Sequence, residues 1–413
     1  MQSNKKSKGP IIDLIYSFTA YVLPTFVIQF LIFPLIARRL TPENNGLFLA
    51  LFNAVRLCVS LFIIPLSSIR LLKKKECIEE SKFEKGFNFL FLTVTAISLV
   101  IVIVLGLFYY KWVFDFYAMI RLIAVLILLA THDYFAIAFR INIDYKKLLI
   151  DNLMIVLGYA VGIFLMLQFG YWELIFLSGY VFGLVYALTN SNMWRAGVQR
   201  FIKKETIKEY CQLSISSGLN TSTTYCDKML IYPLIGGLSV SIYNAAAAVS
   251  KMMALVSVPL RNVFLSYIVD TDKVTISKSK QKKIAYIFIG ASILIYGAFY
   301  LASIILCNFL YPQFYEDALG FIPIILLAVL LETYAGLLKV YLLRFENTLL
   351  QTITSCTKVS VYLLCVLIFN VVFRFGLTGF CLSILFSEFV HFTMVLIYFI
   401  RNIRKQRAEE INV

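Results

Sequence analysis

Seven basic side chains stand inside stretches that are otherwise apolar: Arg56, Arg121, Lys228, Lys251, Arg261, Lys339 and Lys358. Four acids share such surroundings, Asp133, Asp227, Glu332 and Glu388, with His132 and His391 adjoining or near them. A charge at the centre of a bilayer costs roughly 2.5–3.5 kcal/mol, so each is expected to pair, to line a wet cavity or to reach an interface. The basic surplus suits an anion, and phosphate or pyrophosphate is the group that guanidinium and ammonium donors hold best. Nucleophilic or metal chemistry has no such footing. The eight cysteines show no metal-ligand spacing, and there is no HxxH pair and no P-loop. The expectation is therefore no catalytic residue, no metal, no cofactor and no enzyme activity.

Depth separates these charges. Arg121 lies near an outer span end and can snorkel, while Arg261 and Lys339 lie within about two turns of cytoplasmic ends. Arg56 and Lys251 lie deeper, about 15 Å from the outer end at about 1.5 Å per residue. They precede Pro65 and Pro259 by nine and eight residues. Asp227 and Lys228 follow a polar run, Asn220 to Thr224, that cannot face lipid. Successive helical residues point about 100° apart, so this pair is not expected to neutralise itself. The expected anion-binding set is Arg56, Lys228, Lys251, Arg261 and Lys339. Asp133, Asp227, Glu332 and Glu388 are expected to serve as coupling groups or structural ion-pair partners.

The elements that must carry these residues follow from composition. Of 413 residues, 60% are hydrophobic and 15% charged, with 36 phenylalanines; a soluble domain carries about 25% charge. The chain reads as an all-α polytopic membrane protein, with no room for a large soluble catalytic domain. Polar interruptions predict twelve spans, near 11–36, 46–69, 87–110, 116–139, 149–170, 172–193, 210–236, 241–269, 284–310, 318–343, 347–371 and 376–400. Only Gly170, Tyr171 and Trp172 divide the fifth from the sixth. The start, MQSNKKSKGP, leads into an apolar stretch without the cleavage site of a secretory signal. With the N-terminus inside, the inner connections hold 27 Lys and Arg against 4 in the outer ones. That asymmetry places both termini in the cytoplasm, and it accounts for the net charge of +15 without a nucleic-acid partner.

An internal repeat is legible. Phe33-Pro34-Leu35-Ile36 returns as Tyr232-Pro233-Leu234-Ile235, 199 residues later. Asp133 with Arg140 matches Glu332 with Lys339 at the same offset, and Ile64-Pro65-Leu66 matches Val258-Pro259-Leu260 at 194. Two six-helix lobes are expected, 11–194 and 210–403, joined by a cytoplasmic linker, 195–209. Six is even, so the repeat is parallel, and two such bundles would enclose a central cavity. Pro34, Pro65, Pro233 and Pro259 are the expected hinges.

Two stretches carry a family resemblance. One is Pro34-Leu35-Ile36-Ala37-Arg38-Arg39-Leu40-Thr41-Pro42 followed by Gly46-Leu47-Phe48. The other is Asp227-Lys228-Met229-Leu230-Ile231 followed by Ser241-Ile242-Tyr243-Asn244-Ala245. The chain resembles the Wzx-type polysaccharide flippases, which handle O-antigen or capsule repeat units within the multidrug/oligosaccharidyl-lipid/polysaccharide exporter superfamily. Asn45 departs from the pattern, which usually has an aromatic before the glycine. The resemblance implies alternating access in a bacterial inner membrane, carrying an undecaprenyl-pyrophosphate-linked oligosaccharide from the cytoplasmic to the periplasmic leaflet. Arg56 and Lys251 would then meet the pyrophosphate. A polysaccharide polymerase and chain-length machinery are the implied partners. A multidrug antiporter of the same fold is the first rival, and it should prefer acidic cavity residues. A membrane polymerase or glycosyltransferase is the second, and the short outer connections disfavour it.

Overall fold

The computed structural model describes residues 10–79, 81–109, 116–191, 197–250, 278–345 and 348–411. The expected roles of Lys251, Pro259 and Arg261 fall outside these residues. Every described element is helical. The α-helices are α1 (Pro10–Val27), α2 (Phe33–Arg39), α3 (Pro42–Cys58), α4 (Ile64–Leu72), α5 (Lys74–Glu79), α6 (Ser81–Tyr109), α7 (Phe116–Ile141), α8 (Tyr145–Phe169) and α9 (Glu173–Asn190). They continue as α10 (Lys204–Leu234), α11 (Gly237–Ala247), α12 (Lys278–Leu310), α13 (Tyr315–Leu319), α14 (Ile322–Phe345), α15 (Thr348–Val366) and α16 (Gly376–Ile411).

Ten helical stretches among the described residues are long and apolar enough to cross a membrane, and they coincide with ten of the twelve expected spans. The chain is a multi-pass membrane protein. The seventh expected span lies on α10, where the polar run lowers its hydropathy. The eighth begins on α11 and continues beyond the described residues. The fifth and sixth spans are separate helices. Gly170, in the left-handed region at φ 81°, ends α8 and donates its N–H to Met166 O at 2.8 Å.

Two compact units form. The first comprises the described residues up to Leu40 together with Leu47–Met229; the second comprises Thr41–Gly46 and the described residues from Leu230 onward. In the first unit, α8 and α9 approach through small residues rather than through interdigitated large ones. A Cβ at Gly158 would lie 2.7 Å from Gly179 Cα, and one at Gly162 would lie 2.7 Å from Leu174 O. Ser178 Oγ donates to Gly158 O at 2.8 Å across the same contact. Lipid tails are as apolar as leucine, so this packing and its hydrogen bonds, not hydrophobicity, hold the pair together. Beside it, Phe33, Phe48, Phe52, Trp172 and Phe176 interleave with ring centroids 4.3–6.2 Å apart.

Pro34 and Pro65 share a local device. Each follows a five-residue π-helical turn, Ile28–Ile32 and Val59–Ile63. A proline inside a helix lacks the N–H that residue i−4 would bind, and its ring crowds that carbonyl. Widening the preceding turn relieves the clash without ending the helix. Pro233 lies inside α10, one residue from its end.

In the second unit, residues of the first turn of α3 are bound to the start of α11. Glu43 accepts from the backbone N–H groups of Gly237 at 2.9 Å and Leu238 at 3.3 Å. A carboxylate at a helix N-terminus satisfies orphan donors and meets the positive end of the dipole. Asn45 Nδ2 donates to Ser241 Oγ at 2.9 Å, and Ser241 Oγ donates to Pro42 O at 2.8 Å. The polar residue found where an aromatic was expected therefore has a polar counterpart. Further along, α16 packs against both α14 and α15, with Tyr341, Leu342 and Val395 buried between them.

Gly158→Ala is expected to destabilise the purified protein by about 1–3 kcal/mol, because the new methyl meets backbone that cannot yield. Gly290→Ala on α12, where nothing lies within 4 Å, is expected to be neutral or stabilising by up to about 1 kcal/mol. Thermal unfolding in detergent compares them, and equal midpoints would contradict the close-packing account.

Candidate functional site

Arg56 lies near the C-terminal end of α3, three residues before the π-helical turn, and is half-buried. Its guanidinium is within electrostatic reach of the Tyr159, Tyr180 and Tyr225 hydroxyls and of the Asp133 carboxylate. Asp133 is shared: His132 Nδ1 stands 3.1 Å from its Oδ1. The other ring nitrogen, Nε2, stands 2.9 Å from Asp151 Oδ2. An imidazole with a carboxylate oxygen at each nitrogen needs either two ring N–H protons or a protonated acid. Asp133, His132 and Asp151 thus form a hydrogen-bonded cluster in the first unit, with Arg56 in electrostatic reach of its Asp133 end.

Asp151 has 0% exposure and was not among the expected acids. A signal existed: it shares the α8 face of Ile155, Gly158, Tyr159 and Gly162, at helical spacing. Two further charges are buried unexpectedly. Arg70, counted with a cytoplasmic connection by sequence, is fully buried on α4. It donates to Glu84 at 2.8 Å and to Asn88 at 3.4 Å, and lies over the Tyr134 ring. Glu173 is buried at the start of α9, 3.3 Å from Arg121, which also covers the Tyr171 ring at 4.0 Å. The intramembrane charge ledger therefore gains one base and two acids, and the basic surplus is smaller than the sequence suggested.

The polar run before Asp227 finds a helix contact. Ser217 Oγ donates to Ser60 O at 2.9 Å, Tyr210 OH to Phe62 O at 3.2 Å, and Ser60 Oγ to Thr221 Oγ1 at 3.1 Å. The accepting carbonyls belong to the π-helical turn, whose altered ladder makes them available. Lys228 is 1% exposed, with its ammonium 5.6 Å from the Phe33 ring centroid. Asp227 is also buried, and its Oδ1 accepts from the Lys228 backbone N–H at 2.7 Å.

The acids and bases of the second unit meet at one point. Lys358, 5% exposed on α15, places its ammonium 3.2 Å from Glu332 Oε1 on α14 and against Glu388 Oε1 on α16. His391 Nδ1 stands 3.4 Å from Glu388 Oε2. Lys339 donates to Ser355 Oγ at 3.1 Å. Among the described residues no cluster of His, Cys, Asp and Glu is arranged to hold a metal ion. Of the expected set, the structure brings Asp133 within electrostatic reach of Arg56 in the first unit and Glu332 and Glu388 together through Lys358 in the second.

Asp151→Ala, which removes one of the two carboxylates at His132, is expected to cost about 3–5 kcal/mol. Asp151→Asn, which keeps a hydrogen-bonding oxygen, is expected to cost about 1 kcal/mol. Thermal midpoints of the purified variants check this, and a small effect from both would show that the cluster is not a stability element.

No family model matches the sequence, and no curated protein sequence matches it. Solved structures do. Lipid II flippase MurJ in an inward closed conformation is similar over 96% of this chain and 89% of its own, at 15% identity and a TM-score of 0.66. An inward-facing multidrug resistance MATE transporter of the MOP superfamily is similar over 95% and 99%, at 11% identity and a TM-score of 0.66. A MOP superfamily transporter from Pyrococcus furiosus, described as having a binding pocket of reverse polarity, is similar over 95% of each chain, at 12% identity and a TM-score of 0.58. The chain has the fold of these transporters: an all-α polytopic membrane protein of two helical lobes.

Proposed function

We propose that this protein is a flippase for a polyprenyl-pyrophosphate-linked oligosaccharide repeat unit. It carries a surface-polysaccharide precursor from the cytoplasmic to the periplasmic leaflet of a bacterial inner membrane by alternating access. Both termini lie in the cytoplasm, and the lobes 11–194 and 210–403 rock about Pro34, Pro65, Pro233 and Pro259. The observation that carries this reading is Arg56. It is a half-buried guanidinium deep in an apolar span, set among three tyrosine hydroxyls and a carboxylate already engaged by His132. A guanidinium offers five N–H donors, so it can hold a diphosphate while one edge remains toward Asp133. Lys228, Lys251, Arg261 and Lys339 complete the cationic set during the cycle, and the polyprenyl tail stays in lipid. The likeness to a lipid II flippase over nearly the whole chain supports the fold this requires. An inside-negative potential favours outward movement of the anionic headgroup by about 2.3 kcal/mol per charge per 100 mV.

The Asp133–His132–Asp151 cluster, buried at His132 and Asp151, favours a second reading, a multidrug antiporter that moves cationic compounds. One comparison separates the two. In proteoliposomes carrying a fluorescent polyprenyl-pyrophosphate oligosaccharide, Arg56→Ala is expected to slow translocation at least tenfold, the loss of a charged hydrogen bond of about 1.5–3 kcal/mol. Arg56→Lys should retain part of the rate. Translocation at the wild-type rate by Arg56→Ala, or cation efflux with no lipid translocation by the wild type, would overturn the assignment.

A further inference from the structure

Lys358 is an intramembrane base to which the flippase reading gives no task. Its position is defined by three helices of the second unit, with carboxylates arriving from two of them: Glu332 on α14 and Glu388 on α16. The two carboxylates and two ammonium groups gathered there carry formal charges that sum to zero. Glu332 and Glu388 both meet Lys358, Lys339 donates to Ser355 Oγ one turn along α15 from Lys358, and His391 Nδ1 stands 3.4 Å from Glu388 Oε2. Two carboxylates that converge where one of them is buried repel each other unless a counter-charge stands between them. Here that counter-charge is an ammonium on a side chain.

We propose that the Lys358 ammonium is a tethered cation: it occupies, by covalent attachment, the place between Glu332 and Glu388 that a small monovalent cation would otherwise fill. An ammonium group is compact, singly charged and surrounded by donors pointing outward, so it satisfies the two carboxylates as a free ammonium or alkali ion would. The consequence is that this three-helix junction exchanges no cation with solution in the native protein. Removing the side chain converts the position into an open site for ammonium-class ions, with an entry route past the Glu332 carboxylate, whose side chain is 37% exposed. The proposal is independent of the substrate, so its test uses stability rather than transport.

The experiment measures the thermal midpoint of the full-length protein in detergent, in sodium, potassium, ammonium, methylammonium or choline chloride at matched ionic strength. The wild type is expected to unfold at one temperature in all five. Lys358→Ala is expected to unfold earlier in choline and to recover at least half of the loss in ammonium or methylammonium, by linkage to ion binding. The double variant Lys358→Ala/Glu332→Gln, which restores the charge balance, is expected to lose that ion selectivity. Should Lys358→Ala not accumulate as folded protein, the double variant must accumulate; its failure would overturn the proposal. So would small-cation stabilisation of the wild type, or a Lys358→Ala midpoint equal in ammonium and choline. Loss of flipping by Arg56 variants has no bearing on any of these outcomes.

Discussion

A charge within an apolar span must be matched by the protein itself, because lipid offers no dipole to solvate it. That constraint organises the interior of this molecule. Arg70 is met by Glu84 and Asn88, Arg121 by Glu173, and Lys358 by Glu332 and Glu388. Each pairing joins different helices, so the electrostatic requirement also sets which helices stand together. The apolar surface cannot do this alone, since helix association in lipid gains little from hydrophobicity.

The backbone obeys the same rule. Where Pro65 perturbs the hydrogen-bond ladder, the Val59–Ile63 turn widens and its carbonyls meet Ser217 and Tyr210 of α10. Hydroxyls that would be costly against lipid thereby satisfy backbone groups of the turn beside the proline. Glu43 does the equivalent for the first N–H groups of α11. Small residues make such approaches feasible: glycines at 158, 162 and 179 let α8 and α9 come close enough for Ser178 to reach a main-chain oxygen of the facing helix.

Arg56 stands apart from the tightly neutralised pairs. Tyrosine hydroxyls make up most of its polar surroundings, and Asp133 divides its charge between Arg56 and His132. On the proposed reading, this half-buried guanidinium is the group that would meet an anionic headgroup. The Lys358 junction is its opposite, a cation fully occupied by two acids. The two cations therefore differ in surroundings: hydroxyls and one shared carboxylate at Arg56, two carboxylates at Lys358.

Much of this was readable along the chain. The run lengths of apolar residues predict the spans, because a helix must bridge a fixed thickness of hydrocarbon, and ten of the twelve are seen in the described residues. The turn at Gly170 is an equally local property. What local reading could not supply was pairing. Asp151 lies near a helix start and Arg70 in a basic stretch, so each reads as an interfacial charge; only the packing of α7 and α8, and of α4 and α6, buries them. Lys358 likewise reads as one more cation for an anion until α14 and α16 bring two carboxylates to it. Span length and composition are sums over neighbouring residues, and the sequence by itself determines them. The partner of a buried charge is decided by which distant helix arrives beside it, and that belongs to the tertiary structure alone.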